Sequence, residues 1–394
     1  MNSNSEIYEK ITSHEKSTSH GGDIYSRVVE VDFSSNLNPL GMPEAVKDSL
    51  GCAANVCERY PDDNCRKFKK CLVQSYLQEE TLKSEGVSFE EGQIVFGNGA
   101  SELIDGIVRA VHPKKAVLFA PTFSEYERAI KKDNDNCRIK KISLSKDNGY
   151  AIDDCLSNLC DEETDLLFLC NPNNPTGVLT PRSTIAKIVE QCKEKGTYLV
   201  IDECFLELCE DGERHSALHF LKEYEKLIVL RAFTKTYAMA GVRLGYCICG
   251  SDKSERNDEI HSKSEEENVL LARRIKEKLP AWNVSGIAQQ MGMAALNNFD
   301  YLKESVCYIK EQRNLMIAQL EEMGIWCLKG EANYILFRSS IPFYEELLKR
   351  KILIRPCDNY EGLGSGYYRI AVKRQEQNEL LLKAMLEIVK NWRK

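Results

Sequence analysis

The sequence predicts an α/β protein: a large unit built on a mostly parallel sheet covered by helices on both faces, followed by a smaller α+β unit. Three observations carry this reading. Short apolar runs alternate with amphipathic stretches between about residues 93 and 249, the pattern of strands buried on both faces. Glycine-rich turns, an aspartate, an asparagine-rich loop and a lysine fall directly after those runs, where ligands of such sheets bind. After about residue 300, strand-like and helical stretches mix at closer intervals, as in a smaller α+β unit.

In chain order, Met1 to Ser19 read as a polar leader without the charged-then-apolar order of a secretory signal. The runs I-V-F at Ile94, A-V-L-F-A at Ala116, L-L-F-L-C at Leu166, T-Y-L-V-I at Thr197 and L-I-V-L at Leu227 read as strands of the large sheet. Gly250 to Asn268 is charged, with a single aliphatic residue, and reads as an exposed insertion. Beyond it A-N-Y-I-L-F, I-L-I-R and Y-Y-R-I-A-V alternate with helices, the last spanning about Gln375 to Trp392. The expected organisation is an arm over 1–45 that joins the small domain, a large domain over 46–299 and a small C-terminal domain over 300–394.

Composition narrows the function. The chain has 394 residues and 43% hydrophobic content, yet no apolar run long enough to span a bilayer. A net charge of -7 argues against a nucleic-acid surface while leaving room for local basic pockets. The sixteen cysteines are scattered from Cys52 to Cys357 without a C-x-x-C pair. Cys170, Cys247 and Cys249 lie in apolar strands and read as small buried hydrophobes in a reducing, cytoplasmic compartment. No metal site is expected, because ligand spacing is missing.

Lys235 lies in R-A-F-T-K-T-Y-A-M-A-G-V-R, after an apolar strand and eight positions before Arg243. A lysine becomes nucleophilic when desolvation or a cationic neighbour lowers its pKa, and a strand end beside Arg231 and Arg243 offers both. Such an amine suits imine formation with pyridoxal phosphate. The run G-N-G-A-S-E at Gly97 to Glu102 opens a helix with Leu103, Ile104, Ile107, Val108 and Val111 as its apolar positions. The backbone N–H groups of Ala100 and Ser101 would then face an anion; read alone, the run is equally a tight turn with an N-cap. It lacks the last glycine of a dinucleotide fingerprint and the G-K-[ST] of a P-loop. Asp202 ends an apolar strand, placed to pair with a protonated pyridine nitrogen or to cap the turn that follows. Asn174 in N-P-N-N-P-T-G would donate to a ring phenolate oxygen, and Phe123 in P-T-F-S-E-Y would stack on the ring or belong to the core.

Jointly these motifs, with H-G-G-D-I-Y at His20, F-S-S-N-L-N-P-L-G-M-P at Phe33, E-R-Y-P-D at Glu58 and I-L-I-R-P-C-D-N-Y-E-G-L-G-S-G-Y-Y-R-I-A-V at Ile352, resemble the threonine-phosphate decarboxylases of cobalamin biosynthesis. Those are fold-type I pyridoxal-phosphate enzymes close to the histidinol-phosphate aminotransferases. The resemblance implies Lys235 as the lysine that carries the cofactor, Asp202 at its pyridine nitrogen, Asn174 at its phenolate oxygen and Phe123 on its ring. Ala100, Ser101, Thr234 and Arg243 would hold its phosphate, joined by Tyr60 from a second subunit of a homodimer. Arg369 and Asn174 would take the substrate carboxylate; His20, Gly21, Asn36 and Arg355 would gather round the substrate phosphate. The implied reaction is decarboxylation of O-phospho-L-threonine to aminopropanol phosphate. O-phospho-L-serine and a histidinol-phosphate type transamination are the alternatives. Two departures stand out. Ala232 replaces a serine or threonine usual before the lysine, removing one hydroxyl contact of about 1 to 3 kcal/mol unless water replaces it. Phe205 replaces a tyrosine common in the aminotransferases, leaving the phenolate to Asn174.

Overall fold

The computed structural model describes residues 21–51, 54–152, 158–251, 270–296 and 298–393. The leader with His20, and the charged insertion from residue 252 onward, lie outside the described residues. The chain enters through β1 (Val31–Asp32) and builds the large sheet from β2 (Ile94–Gly97), β3 (Lys115–Ala120), β4 (Arg138–Ser143), β5 (Leu166–Cys170), β6 (Tyr198–Asp202), β7 (Leu227–Ala232) and β8 (Gly245–Cys249). Their spatial order is β2-β8-β7-β6-β5-β3-β4. The run from β7 to β4 is parallel, and β8 is antiparallel to both β2 and β7.

Side chains of successive residues alternate between the two faces of a strand, so a strand covered on both sides must be apolar throughout. In β5, Leu167 and Leu169 enter one core, while Leu166, Phe168 and Cys170 enter the other. In β7, Leu227 and Val229 divide from Ile228, Leu230 and Ala232 in the same way. Helix α1 (Ala100–Val111) packs Leu103, Ile104, Ile107 and Val108 into the second core, with Gly106 and Ala110 buried on the same face. Val111, expected among its apolar positions, is only partly buried. Cys247 and Cys249 are both fully buried there, as small hydrophobes. The edge strand β4, R-I-K-K-I-S, is half exposed and carries three basic residues, which discourages pairing with another chain.

The smaller sheet is antiparallel, in the order β12 (Arg355–Pro356), β13 (Tyr367–Ala371), β10 (Tyr334–Arg338), β9 (Trp326–Cys327). It shares a core with the helix Gln375–Trp392 and with Phe33 of the arm. The arm reaches that unit because β1 pairs in parallel with β11 (Ile352–Leu353). Past β1 it runs across the mouth of the large sheet, where Asn38 N donates to Lys235 O at 3.1 Å and Asn38 Nδ2 donates to Thr236 O at 2.9 Å. Among the described residues, no helix is long and apolar enough to cross a membrane.

Candidate active site

The carboxyl ends of the parallel strands deliver the predicted residues to one region. Strand β6 ends in Asp202, β5 continues into Asn171–Asn174, β3 into Pro121–Phe123, and β7 into the short helix α2 (Phe233–Thr236) that carries Lys235. Lys235 keeps partial solvent access, as an amine that must meet a ligand requires. Its pKa is lowered to about 8, first by burial and then by the cations Arg369, Arg243 and Lys373. Its ammonium lies 5.8 Å from the centroid of the Phe205 ring.

Arg231 corrects one expectation. Rather than acting as a cation beside Lys235, it is fully buried and neutralised by acids. Its Nη2 donates to Glu203 at 2.7 Å and its Nη1 to Glu213 at 2.7 Å, with Tyr76 Oη accepting at 3.0 Å. A charge so paired exerts little net field on a third group. It anchors the base of the strand end instead.

Asp202 is 5% exposed. Burial pushes its carboxyl upward, against hydrogen bonds that favour the anion. Its Oδ1 accepts from Cys204 N at 3.0 Å, so it also caps the following turn, and its Oδ2 accepts from the Tyr126 hydroxyl at 2.6 Å. Tyr126 was not a candidate from sequence. It stacks on Phe168 at 4.7 Å and stands edge-on to Phe123 at 5.6 Å. Phe123 in turn lines a cleft with Thr122, Asn359 and Tyr360, between the large sheet and a loop of the small domain.

Arg369 is the hub of the other wall. It is 5% exposed, its Nη1 donates to Asn174 Oδ1, and its Nη2 donates to Ser34 O at 3.0 Å. Its Nε is buried and has no partner among the described residues. Arg355 faces it directly across the β12–β13 ladder, also buried, with its Nη2 donating to Asn359 Oδ1 at 3.0 Å. Two guanidinium groups at opposed ladder positions disfavour one another, and an anion between them would relieve that. Gly21 belongs here too: a Cβ on it would sit 2.4 Å from Ser34 O, and it lines one cavity with Arg355. Asn36 is 2% exposed, with an Oδ1 lacking a partner among the described residues, and its carbonyl accepts from Asn333 Nδ2 at 3.2 Å.

A third cluster forms around the glycine turn after β2. Gly99 has φ 81 and ψ 166, a region open essentially to glycine alone. An added Cβ would meet Arg243 Nη2 at 2.6 Å, so the missing side chain lets the guanidinium lie against the start of α1. Arg243 and Ser101 are exposed there, Ala100 and Thr234 partly so. Tyr60 stands apart, 79% exposed and stacked on Trp282 at 4.7 Å.

These features fit pyridoxal phosphate. The glycine turn with Arg243 suits its phosphate, the buried Asp202 suits a protonated ring nitrogen, and Lys235 is a desolvated amine. The unpartnered Nε of Arg369 awaits an acceptor.

The match to the aminotransferase class I and II family runs over residues 29–385. The chain belongs to that family. Pyridoxal phosphate is the family's cofactor, and the large sheet with its smaller companion is the fold-type I arrangement. The family member is 31% identical over 384 residues to a threonine-phosphate decarboxylase of Salmonella typhimurium, covering 94% of this chain and 97% of that one. It is 32% identical over 371 residues to an adenosylcobalamin biosynthesis bifunctional protein of Leptospira interrogans, covering 91% of this chain and 38% of that longer protein. Among solved structures, the histidinol-phosphate aminotransferase from Clostridium acetobutylicum superposes with a TM-score of 0.78 at 29% identity, covering 92% of this chain and 99% of that one.

Proposed function

We propose that this enzyme decarboxylates O-phospho-L-threonine to aminopropanol phosphate, with pyridoxal phosphate as cofactor, in the assembly of the cobalamin nucleotide loop. The relatives named above support the reaction and the pathway. The observation that carries the substrate class is the ladder pair Arg355 and Arg369, two buried cations opposite one another, of which Arg369 acts on Lys235. A phosphoamino acid brings two anionic groups, one for each guanidinium.

When bound, the cofactor supplies an electron-deficient ring that accepts the electron pair left as the bond to the carboxyl carbon breaks. The protein's residues do the rest. Ala100, Ser101, Thr234 and Arg243 hold the cofactor phosphate, and Asp202 keeps the ring nitrogen cationic. Asn174 meets the phenolate oxygen, and Phe123 covers one face. Arg369 with Asn174 fixes the substrate carboxylate, while Gly21, Asn36, Arg355 and, on the leader, His20 receive the substrate phosphate. Lys235, whose pKa near 8 leaves both protonation states accessible at neutral pH, returns one proton to the α-carbon in place of the carbon dioxide that leaves. Tyr60 completes the cofactor phosphate site of a partner subunit in a homodimer. Its exposure leaves it available for that contact. The free thiols of the described cysteines suit a reducing, cytoplasmic setting.

The test is a product assay. Purified protein with phosphothreonine is expected to release carbon dioxide without a keto acid present. Obligatory consumption of 2-oxoglutarate would instead indicate transamination, the activity of the histidinol-phosphate relatives. Phosphoserine differs by one methyl, worth only about 1 to 3 kcal/mol in discrimination, so turnover of both at limiting concentration decides the preference.

A further inference from the structure

We infer that Tyr126 is a positioning residue that works through Asp202 on the ring nitrogen of the cofactor. The inference rests on the proposed pairing of Asp202 with that nitrogen. It starts from a hydroxyl with an unusual burden: Tyr126 is fully buried, and its Oη donates to Asp202 Oδ2 at 2.6 Å.

A buried phenol is costly unless its hydroxyl is bonded. Here the acceptor is itself a buried acid at the end of β6. The bond is strongest when that acid is ionised, because a carboxylate accepts more strongly than a neutral acid. Burial favours the neutral form of Asp202, and hydrogen bonds from the Cys204 thiol, the Tyr126 hydroxyl and Cys204 N oppose it. An ionised carboxylate has about four lone-pair sites, so beside these donors it retains acceptor capacity for a ring N–H. Geometry adds a second role. The Tyr126 ring is held flat against Phe168, at 4.7 Å and 8° between planes. It also meets Phe123 edge-on at 5.6 Å and 84°. One side chain thus braces the acid proposed for the ring nitrogen and the aromatic proposed for the ring face. Phenylalanine would keep the stacking and lose the hydroxyl, with its bonds to Asp202 and to the Cys170 thiol.

The decisive experiment compares two ligands in two proteins. Apoprotein, wild type and Tyr126→Phe, is titrated at equilibrium with pyridoxal phosphate and with its deaza analogue, in which a C–H replaces the ring nitrogen. Wild type is expected to prefer the natural cofactor. The hydroxyl's removal should cut that preference by roughly tenfold or more, the scale of one hydrogen bond to a charged group, with affinity for the analogue nearly unchanged. Equal weakening of both ligands, or none, would overturn the inference and leave a purely structural tyrosine. A thermal unfolding midpoint for each apoprotein checks the fold. Asp202→Asn supplies a second route: adding Tyr126→Phe to it should leave the remaining preference unchanged, and a further loss would also overturn the inference. Failure of the underlying reading looks different, since wild type would then show no preference between the ligands or bind neither.

Discussion

Replacing Arg369 by lysine separates two costs that a simple activity loss would merge. In the folded protein Arg369 satisfies Asn174 Oδ1 and Ser34 O together, while its Nε has no partner among the described residues. A lysine ammonium is a single point of charge and cannot occupy both donor positions. At least one acceptor, on Asn174 at 7% exposure or on Ser34 at 2%, loses its donor. That loss, about 1 to 3 kcal/mol for a buried polar group, exists before any ligand arrives and should appear as reduced stability of the cofactor-free protein in urea. The second cost appears only with substrate, whose carboxylate loses one arm of a bidentate fork. At about 1.5 to 3 kcal/mol for a bond to a charged group, affinity for phosphothreonine should fall roughly 10- to 150-fold. Aminopropanol phosphate has the phosphate and amine but no carboxylate, so its affinity should barely move. The assay is therefore the ratio of the two binding constants in Arg369→Lys against wild type. A ratio that stays fixed would refute the assignment of Arg369 to the carboxylate, whatever happens to turnover.

Three further outcomes follow from the same geometry. In cofactor-free protein, Lys235→Met should raise stability at pH 7, where the folded site must hold a charge it disfavours. The advantage should shrink as pH rises through about 8 toward the ordinary 10.5 and vanish above it; an advantage of equal size at every pH would contradict a desolvated amine. Gly99→Ala forces a side chain into glycine-only backbone space and against Arg243; stability should fall by about 1 to 3 kcal/mol and cofactor affinity with it, read by denaturant unfolding and by titration of apoprotein. Tyr60→Ala and Lys235→Ala proteins, each impaired alone, should recover roughly a quarter of wild-type activity when subunits exchange at random, because half the dimers are hybrids with one complete site of two; no recovery despite exchange would place Tyr60 outside the partner's site.

The sequence declared strands whose residues must be apolar on both faces, and it obscured those where other forces decide. Ile94, Ala116, Leu166, Thr197 and Leu227 all open runs that fall in or beside the observed strands, because burial between helix layers leaves no polar position. Strand β4 escaped notice because an edge position accommodates Arg138, Lys140 and Lys141, with Lys140 exposed and Lys141 paired to Glu127 and Glu361, and a charged run is also what a solvated loop looks like. The antiparallel sense of β8 depends on pairing between Gly245–Cys249 and both its neighbours, a long-range fact with no local signature. The strand-end positions of Asp202, Asn174 and Lys235 are legible in the sequence because strand ends are where a doubly covered sheet exposes polar groups. Tyr126 was not: three residues beyond Phe123 on an amphipathic helix, an aromatic reads as core, and only the partner of its hydroxyl tells otherwise. Arg231 failed in the opposite sense, since proximity in sequence to Lys235 suggested a field that Glu203 and Glu213 cancel.

The division of labour between the two sheets has a consequence for binding. Lysine, acid and phosphate turn all stand on the large sheet, whereas Arg355 and Arg369 are opposite one another on the small one. Two like charges at directly opposed ladder positions disfavour one another, and an anionic ligand would offset that repulsion as it binds. Contacts between the units include Arg369 Nη1 to Asn174 Oδ1 and the backbone bond from Asn38 N of the arm to Lys235 O. A ligand with one anionic group relieves part of the repulsion, and one with two relieves more while spanning both arginines. Phosphoamino acids should therefore stabilise the holoenzyme against thermal unfolding more than either a simple amino acid or inorganic phosphate at equal free concentration, because the tighter ligand shifts the equilibrium further. Equal stabilisation by all three would mean that the arginine pair does not select for a second charge.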